Sequence, residues 1–182
     1  MQTPGAIAEP VRALAEADFG AFAQRFADAG FTVGLPATGI MTVKSGAAPA
    51  RASVLVSVGV HGDETGPIEV LAHVLDALSR EPRALVVDLM VCVGNVDAIA
   101  AGKRFIDADL NRMFRPARGS LAGSAEAARA DHLIAATGAF FGGAGPDRWH
   151  LDLHTAIRPS VYPTFAIVPD LIAKEGKCAL VS

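Results

Sequence analysis

Two apolar runs of strand length lie close together in this chain. "SVLVSV" covers 53–58, and "LVVDLMVCV" covers 85–93. Neither alternates cleanly between apolar and polar, as expected of strands covered on both faces. Between them, "TGPIEVLAHVLDALSR" places Ile68, Leu71, Val74, Leu75 and Leu78 at helical spacing, the stripe of an amphipathic helix. Strand, helix and strand in that order predict a parallel pair joined by a right-handed crossover. Upstream, "ADFGAFAQRFADAG" sets Phe19, Phe22 and Phe26 on one helical face before a glycine stop.

Downstream the pattern changes. Residues 94–120, "GNVDAIAAGKRFIDADLNRMFRPARGS", are polar with little periodicity, and so long a connection in a compact domain is usually functional or disordered. "SAEAARADHLIAATGAFF" predicts another helix, and "GGAGPD" a loop. "RWHLDLHT" alternates strictly, with His150, Asp152 and His154 on one face and Leu151 and Leu153 on the other. "TFAIVP" reads as a last short strand and "DLIAKEGK" as the start of a helix. The expectation is a three-layer α/β domain, its sheet mostly parallel or mixed, with helices on both faces. Residues 1–50 are read as a peripheral N-terminal segment.

Composition narrows the function classes. The chain has 182 residues, of which 51% are hydrophobic and 19% charged, a globular balance. A net charge of −3 without a basic block gives nucleic-acid binding no electrostatic support. No apolar stretch reaches membrane-spanning length, and the N-terminus lacks a basic start followed by an apolar core, so a soluble cytoplasmic protein is expected. Cys92 and Cys178 make no disulfide framework, and Cys92, inside an apolar run, reads as a small buried hydrophobe. A nucleotide-binding reading finds neither a Gly-x-Gly-x-x-Gly turn nor a Gly-Lys-Ser/Thr loop.

The candidate chemistry sits at strand ends, where ligands collect in parallel sheets. The first buried strand runs into "GVHGDETGPIEVL", which offers His61 and Glu64 three residues apart. Two histidines, one carboxylate and an open position suit a hydrolytic zinc site. His154, at the end of "LDLH", is the fitting third ligand. Taken alone, His-x-x-Glu is a common spacing and equally describes a hydrogen-bonded histidine beside a solvated acid. Asp152 is a candidate partner for a ligating histidine, though two residues along the strand is far for direct contact. His73, His132 and His150 read as surface or structural residues, and Trp149 and Tyr162 as packing. "GKRFIDADLNRMF" adds Arg104, Asn111 and Arg112, able to pair with carboxylates or a developing oxyanion, or else to sit in solvent.

Together, "GVHGDETGPIEVL", "GNVDAIAAGKRFIDADLNRMF" and "WHLDLHTAIRPSVYPTFAIVP" closely resemble the succinylglutamate desuccinylase and aspartoacylase family of zinc amidohydrolases, which is related to the zinc carboxypeptidases. The segments occur in the family's order over roughly residues 50 to 170. "DLHTAIR" is more similar to the desuccinylase branch. The resemblance implies a carboxypeptidase-like catalytic domain over 1–182 and one zinc ion held by His61, Glu64 and His154. It implies that Arg104 polarises the scissile carbonyl and that Asn111 and Arg112 hold the substrate's amino-acid carboxylate. Arg158 falls near the site and is available for a second cationic contact, as are Arg115 and Arg118. "HGDE" replaces the "HGNE" of many relatives, beside the ligand and not at it.

The implied reaction is hydrolysis of an N-acylated amino acid, N-succinylglutamate foremost, in the cytoplasmic breakdown of arginine. An aspartoacylase-type deacylase and a non-catalytic zinc-binding remnant are the alternatives. The implied partner is a small molecule, with neither nucleic acid nor membrane, and a homo-oligomer is left open. The family also carries a glutamate base and a β-rich domain well downstream of the third ligand. This chain ends soon after that ligand, with Glu175 the only acid in a vaguely similar context. It is therefore expected to be truncated and a poor catalyst as it stands.

Overall fold

The computed structural model describes residues 7–44, 50–145 and 147–156. Within them the chain forms α1 (Glu9–Ala15), α2 (Gly20–Asp28), β1 (Thr32–Ala37), β2 (Ile40–Lys44), β3 (Ser53–Val58), α3 (Thr65–Arg80), β4 (Asp88–Val93), α4 (Val96–Ala100), α5 (Ala125–Gly142) and β5 (Arg148–Asp152). The strands make one sheet in the order β1-β2-β4-β3-β5. The two pairings of β3, with β4 and with β5, are parallel. Those of β2, with β1 and with β4, are antiparallel. The sheet is therefore mixed, with a parallel half at the end where the candidate ligands lie.

Side-chain alternation builds the layers. Along β4, Leu89, Val91 and Val93 enter one core with Leu14, Phe22 and Phe26 of the N-terminal helices and Ile68, Leu71 and Leu75 of α3. Met90 and Cys92 enter the opposite core with Leu55, Leu110, Met113 and the α5 residues Ala127, Ala130, Leu133 and Phe140. Period-two alternation in a strand covered on both faces gives this three-layer arrangement. Cys92 is buried among these neighbours, and burial pushes its thiol up to about 11, which makes it a packing residue.

The N-terminal segment is not peripheral. β2 lies inside the sheet, with Ile40 opposite Cys92 and Val43 opposite Leu89. Phe22 and Phe26 of α2 are fully buried, and Phe26 meets Phe31 edge-on with ring centroids 5.8 Å apart. The predicted α3 helix is present, but its stripe is narrower. Ile68, Leu71, Ala72 and Leu75 are buried, whereas Val74 faces outward and is 49% exposed. The connection after β4 is organised by short turns. Asn95 caps α4, Asp109 caps a 3-10 turn over Leu110–Arg112, and Ser124 caps α5. The expected strand over 164–169 and the helix start after it lie outside the described residues.

Because Phe26 closes the core between α2 and α3, Phe26→Ala should cost about 3–5 kcal/mol of unfolding free energy. Urea denaturation followed by circular dichroism would measure it. A peripheral segment would show a loss well under 1 kcal/mol, the usual effect of surface substitutions.

Candidate metal centre

β3 leads to His61 through Gly59, whose φ of +64° is the left-handed region that favours glycine. The turn then presses against α4. A Cβ at Gly62 would lie 2.3 Å from the Ala98 carbonyl carbon and 2.5 Å from the Lys103 oxygen, so only glycine fits. The Gly62 amide donates to the Arg104 carbonyl at 3.1 Å. Glu64 occupies the N-cap position of α3 without capping it, so its carboxylate is free to turn into the site. A negative charge at the start of a helix is also favourable there.

Glu64 collects the candidate residues. Its Oε1 lies 2.8 Å from His61 Nδ1 and accepts from Arg104 Nη1 at 3.1 Å. Its Oε2 lies 3.0 Å from His154 Nδ1 and accepts from the Thr155 amide at 2.9 Å. The two imidazole centroids are 5.0 Å apart. Burial alone would push the Glu64 carboxyl up, but the Thr155 amide and the two histidines hold it below its ordinary value. His61 and Glu64 are buried, at 4% and 6% exposure, while the His154 side chain is 28% exposed.

The far side of each ring faces another carboxylate. His154 Nε2 is 2.9 Å from Asp152 Oδ2, and His61 Nε2 is 3.2 Å from Asp109 Oδ1. The Asp152 contact, with support from Glu64, raises the His154 pKa. A carboxylate only accepts, so each of these contacts needs a proton on Nε2. At His61 the Arg104 guanidinium also lies 3.1 Å from Nε2, and a guanidinium only donates, so a neutral ring satisfies one of the two at a time. With Nε2–H turned outward, the Nδ1 lone pair of each ring faces an oxygen of the Glu64 carboxylate. Only a proton or a cation stabilises that convergence.

One donor atom from each of His61, Glu64 and His154 lies within 4.8 Å of the other two. Two imidazoles and one carboxylate, with a carboxylate on the outer nitrogen of each ring, suit a divalent ion such as zinc.

Of the other residues expected at the site, Arg104 is in place on Glu64. Asn111 and Arg112 lie on the 3-10 turn that starts beside Asp109, and both are exposed. The Arg112 guanidinium reaches Asp109 only at 4.0 Å. Asn111 lines a cavity of about 270 Å³ together with Leu55, Cys92, Leu133, His150 and Asp152. Arg158 and Glu175 lie outside the described residues, as do Tyr162 and Cys178.

A less visible carboxylate holds the loop that carries this turn. Glu126 of α5 is 1% exposed and accepts from the amides of Ile106, Asp107 and Ala108 and from Asn95 Nδ2, at 2.6–3.3 Å. Burial opposes its charge, but these donors hold its pKa below the ordinary value.

Comparison with known proteins places the chain in a family. The model of the succinylglutamate desuccinylase/aspartoacylase catalytic domain matches residues 50–182. The chain belongs to that family. Within it, the chain is 52% identical over 124 residues to a succinylglutamate desuccinylase of Burkholderia orbicola (strain AU 1054). It is 49% identical over 126 residues to one of Burkholderia pseudomallei (strain K96243). These alignments cover 67% and 68% of this chain and 36% of each relative, so the chain spans about a third of their length. The crystal structure of the Chromobacterium violaceum succinylglutamate desuccinylase superposes with a TM-score of 0.67 at 36% identity, over 78% of this chain and 47% of that one. The Vibrio cholerae desuccinylase gives 0.67 at 32%, over 74% and 39%. Family membership and the mixed α/β fold are thereby established.

The site should take up one divalent ion per chain, retained through dialysis. His61→Ala and Glu64→Gln should each abolish that uptake, as metal analysis by mass spectrometry would read; stoichiometric retention by both variants would exclude the site.

Glu126→Gln should lower stability at pH 7 by about 1–3 kcal/mol, the cost of leaving buried donors unmatched. The Glu126 pKa is depressed in the folded state, so its contribution is present above the ordinary value of 4.5 and is lost as pH falls through the folded pKa. The gap between wild type and variant should therefore narrow in acid, as denaturation at pH 7 and pH 3.5 would show.

Proposed function

We propose that this chain serves the hydrolysis of an N-acylated amino acid, with N-succinylglutamate as the leading substrate and zinc as the metal. The observation that carries the reading is the convergence of His61, Glu64 and His154 beside the Arg104 guanidinium. The family match and the names of the Burkholderia relatives support the substrate class. The reaction adds water across the acyl C–N bond, which would release succinate and glutamate. A divalent ion held by two histidines and a carboxylate acidifies water and polarises a carbonyl.

The chain's own residues would do the rest. Arg104 stands at the ligand cluster with a 30% exposed side chain, able to leave Glu64 and donate to the carbonyl oxygen as negative charge develops there. Asn111 and Arg112 lie on the 3-10 turn that follows Asp109, whose carboxylate faces His61. An arginine presents a planar fork that matches a carboxylate, and the neighbouring amide adds a donor, which suits the non-reacting carboxylate of the amino-acid part. Arg158 is proposed for the acyl carboxylate on the family resemblance alone. The acceptor of the water proton is unassigned. Among the described residues Glu64, Asp109 and Asp152 each already face a histidine, while Asp63 lies 3.9 Å from Arg104.

Zinc-loaded protein should therefore bind N-succinylglutamate more tightly than N-acetylaspartate, measured by calorimetry, with glutamate release followed by chromatography. Arg112→Ala should weaken binding by about 10–100-fold, the equivalent of roughly 1.5–3 kcal/mol for a charged hydrogen bond. Arg104→Ala should leave binding nearly intact and slow release by about 10²–10³, as loss of an oxyanion donor does. The opposite pattern in the two variants would overturn the assignment. A preference for N-acetylaspartate would move the chain to the aspartoacylase side of the family.

A further inference from the structure

Ser57 poses a question that the metal centre does not answer. It lies near the end of an apolar buried strand and is 5% exposed, where a valine would pack without a polar atom to satisfy. The parallel register sets Ser57 beside Asp152 and Leu55 beside His150. Ser57 Oγ lies 2.6 Å from Asp152 Oδ1 and 2.8 Å from His150 Nε2. Asp152 Oδ2, in turn, lies 2.9 Å from His154 Nε2.

The donor inventory gives this row of groups one direction. Ser57 Oγ donates to Asp152 Oδ1, and the other carboxylate oxygen, Oδ2, faces the His154 ring nitrogen, so the carboxylate accepts on both sides. The single hydroxyl proton of Ser57 is therefore committed to Asp152. His150 must then donate Nε2–H to the Ser57 oxygen. The carboxylate plane of Asp152 is pinned at both oxygens, by Ser57 on one and the His154 ring on the other. A carboxylate pinned at one oxygen can pivot about χ2, whereas one pinned at both cannot.

We infer that Ser57 and His150 are positioning residues for His154, acting through Asp152 to hold Nε2–H outward and Nδ1 toward the Glu64 carboxylate. The inference rests on the reading of His61, Glu64 and His154 as metal ligands and is independent of the substrate. Its physical basis is the exposure of the third ligand. His61 is buried within a tight glycine turn, whereas the His154 side chain is 28% exposed and follows a strand that is an edge among the described residues. Its ring needs an external brace, and a hydroxyl on the rigid neighbouring strand β3 supplies one.

The test uses metal affinity and the cobalt spectrum of the whole chain, without an activity assay. Zinc affinity is read by competition with a chromophoric chelator, and the visible bands of the Co²⁺-loaded protein report ligand geometry. Ser57→Ala should weaken zinc binding roughly tenfold, the low end of the 10–100-fold range for outer partners of metal-bound histidines, and should change the cobalt bands. Ser57→Thr keeps the hydroxyl and should restore both. His150→Ala, which removes the donor to Ser57, should shift the cobalt bands in the same direction with a smaller affinity loss. In the Asp152→Ala background, Ser57→Ala should add nothing further, since its effect passes through that carboxylate.

Wild-type affinity and spectrum in a folded Ser57→Ala protein would overturn the inference. Equal losses in Ser57→Ala and Ser57→Thr would do so too, because packing alone would then explain them. Should Ser57→Ala fail to fold, His150→Ala and Ser57→Thr decide: unchanged cobalt bands in the first, or altered bands in the second, count against the brace. A wild-type chain that takes up no zinc would instead sink the metal reading itself.

Discussion

Glu64 is a carboxylate shut away from water, and such a group persists only when donors surround it. The arrangement of this half of the molecule follows from meeting that demand. His61 supplies a contact from the same turn, Arg104 from the connection after α4, and His154 and the Thr155 amide from the end of β5. Three segments far apart in sequence are therefore tied at one point. The parallel half of the sheet makes the tie feasible, because β3 and β5 run the same way and deliver their C-terminal ends to the same edge. Were β5 antiparallel, His154 would emerge at the opposite end of the sheet. Removing any one donor would leave charge short of partners, so the cluster behaves as a unit in which single deletions are not additive.

Much of this could be read from residue order. The apolar runs around 53–58 and 85–93 gave their strands, and the intervening stripe gave α3, because buried strands and amphipathic helices carry strong periodic signals. The strict alternation of "RWHLDLHT" put His150 and Asp152 on one face of β5. The β1–β2 hairpin escaped notice because Gly34 and Pro36 interrupt its pattern, and the register shifts between Gly34 and Ala37. Proline is tolerated in that strand, which is an edge among the described residues.

The candidate site was legible in the three residues that converge, His61, Glu64 and His154, and less so in the groups around them. Asp152 was judged distant from His154 because residues two apart on a strand stand roughly 6.6 Å apart along the backbone, yet an aspartate and an imidazole together span that gap. Asp109, Ser57 and Glu126 carry no local signal of their roles. Each acts on a residue reached only after the chain has folded, 48 positions away for Asp109 and His61 and 95 for Ser57 and Asp152. An acid just ahead of the Asn111–Arg112 pair and a lone hydroxyl late in a buried strand were the available hints.

Among the described residues β5 lies at a sheet margin, and that placement has a kinetic consequence. β3 and β4 share a crossover, and His61 and Glu64 follow directly on β3, so these two donors can be in position early. Docking β5 onto β3 closes a far longer stretch of chain, and closure entropy delays such pairings. Edge strands also open locally at lower cost than central ones. On the proposed metal reading, an ion would meet His61 and Glu64 first and be captured when His154 arrives, so that β5, docking after β3 and β4, would act as the latch. Escape of the ion would then be paced by how often that margin frays, and much less by global unfolding.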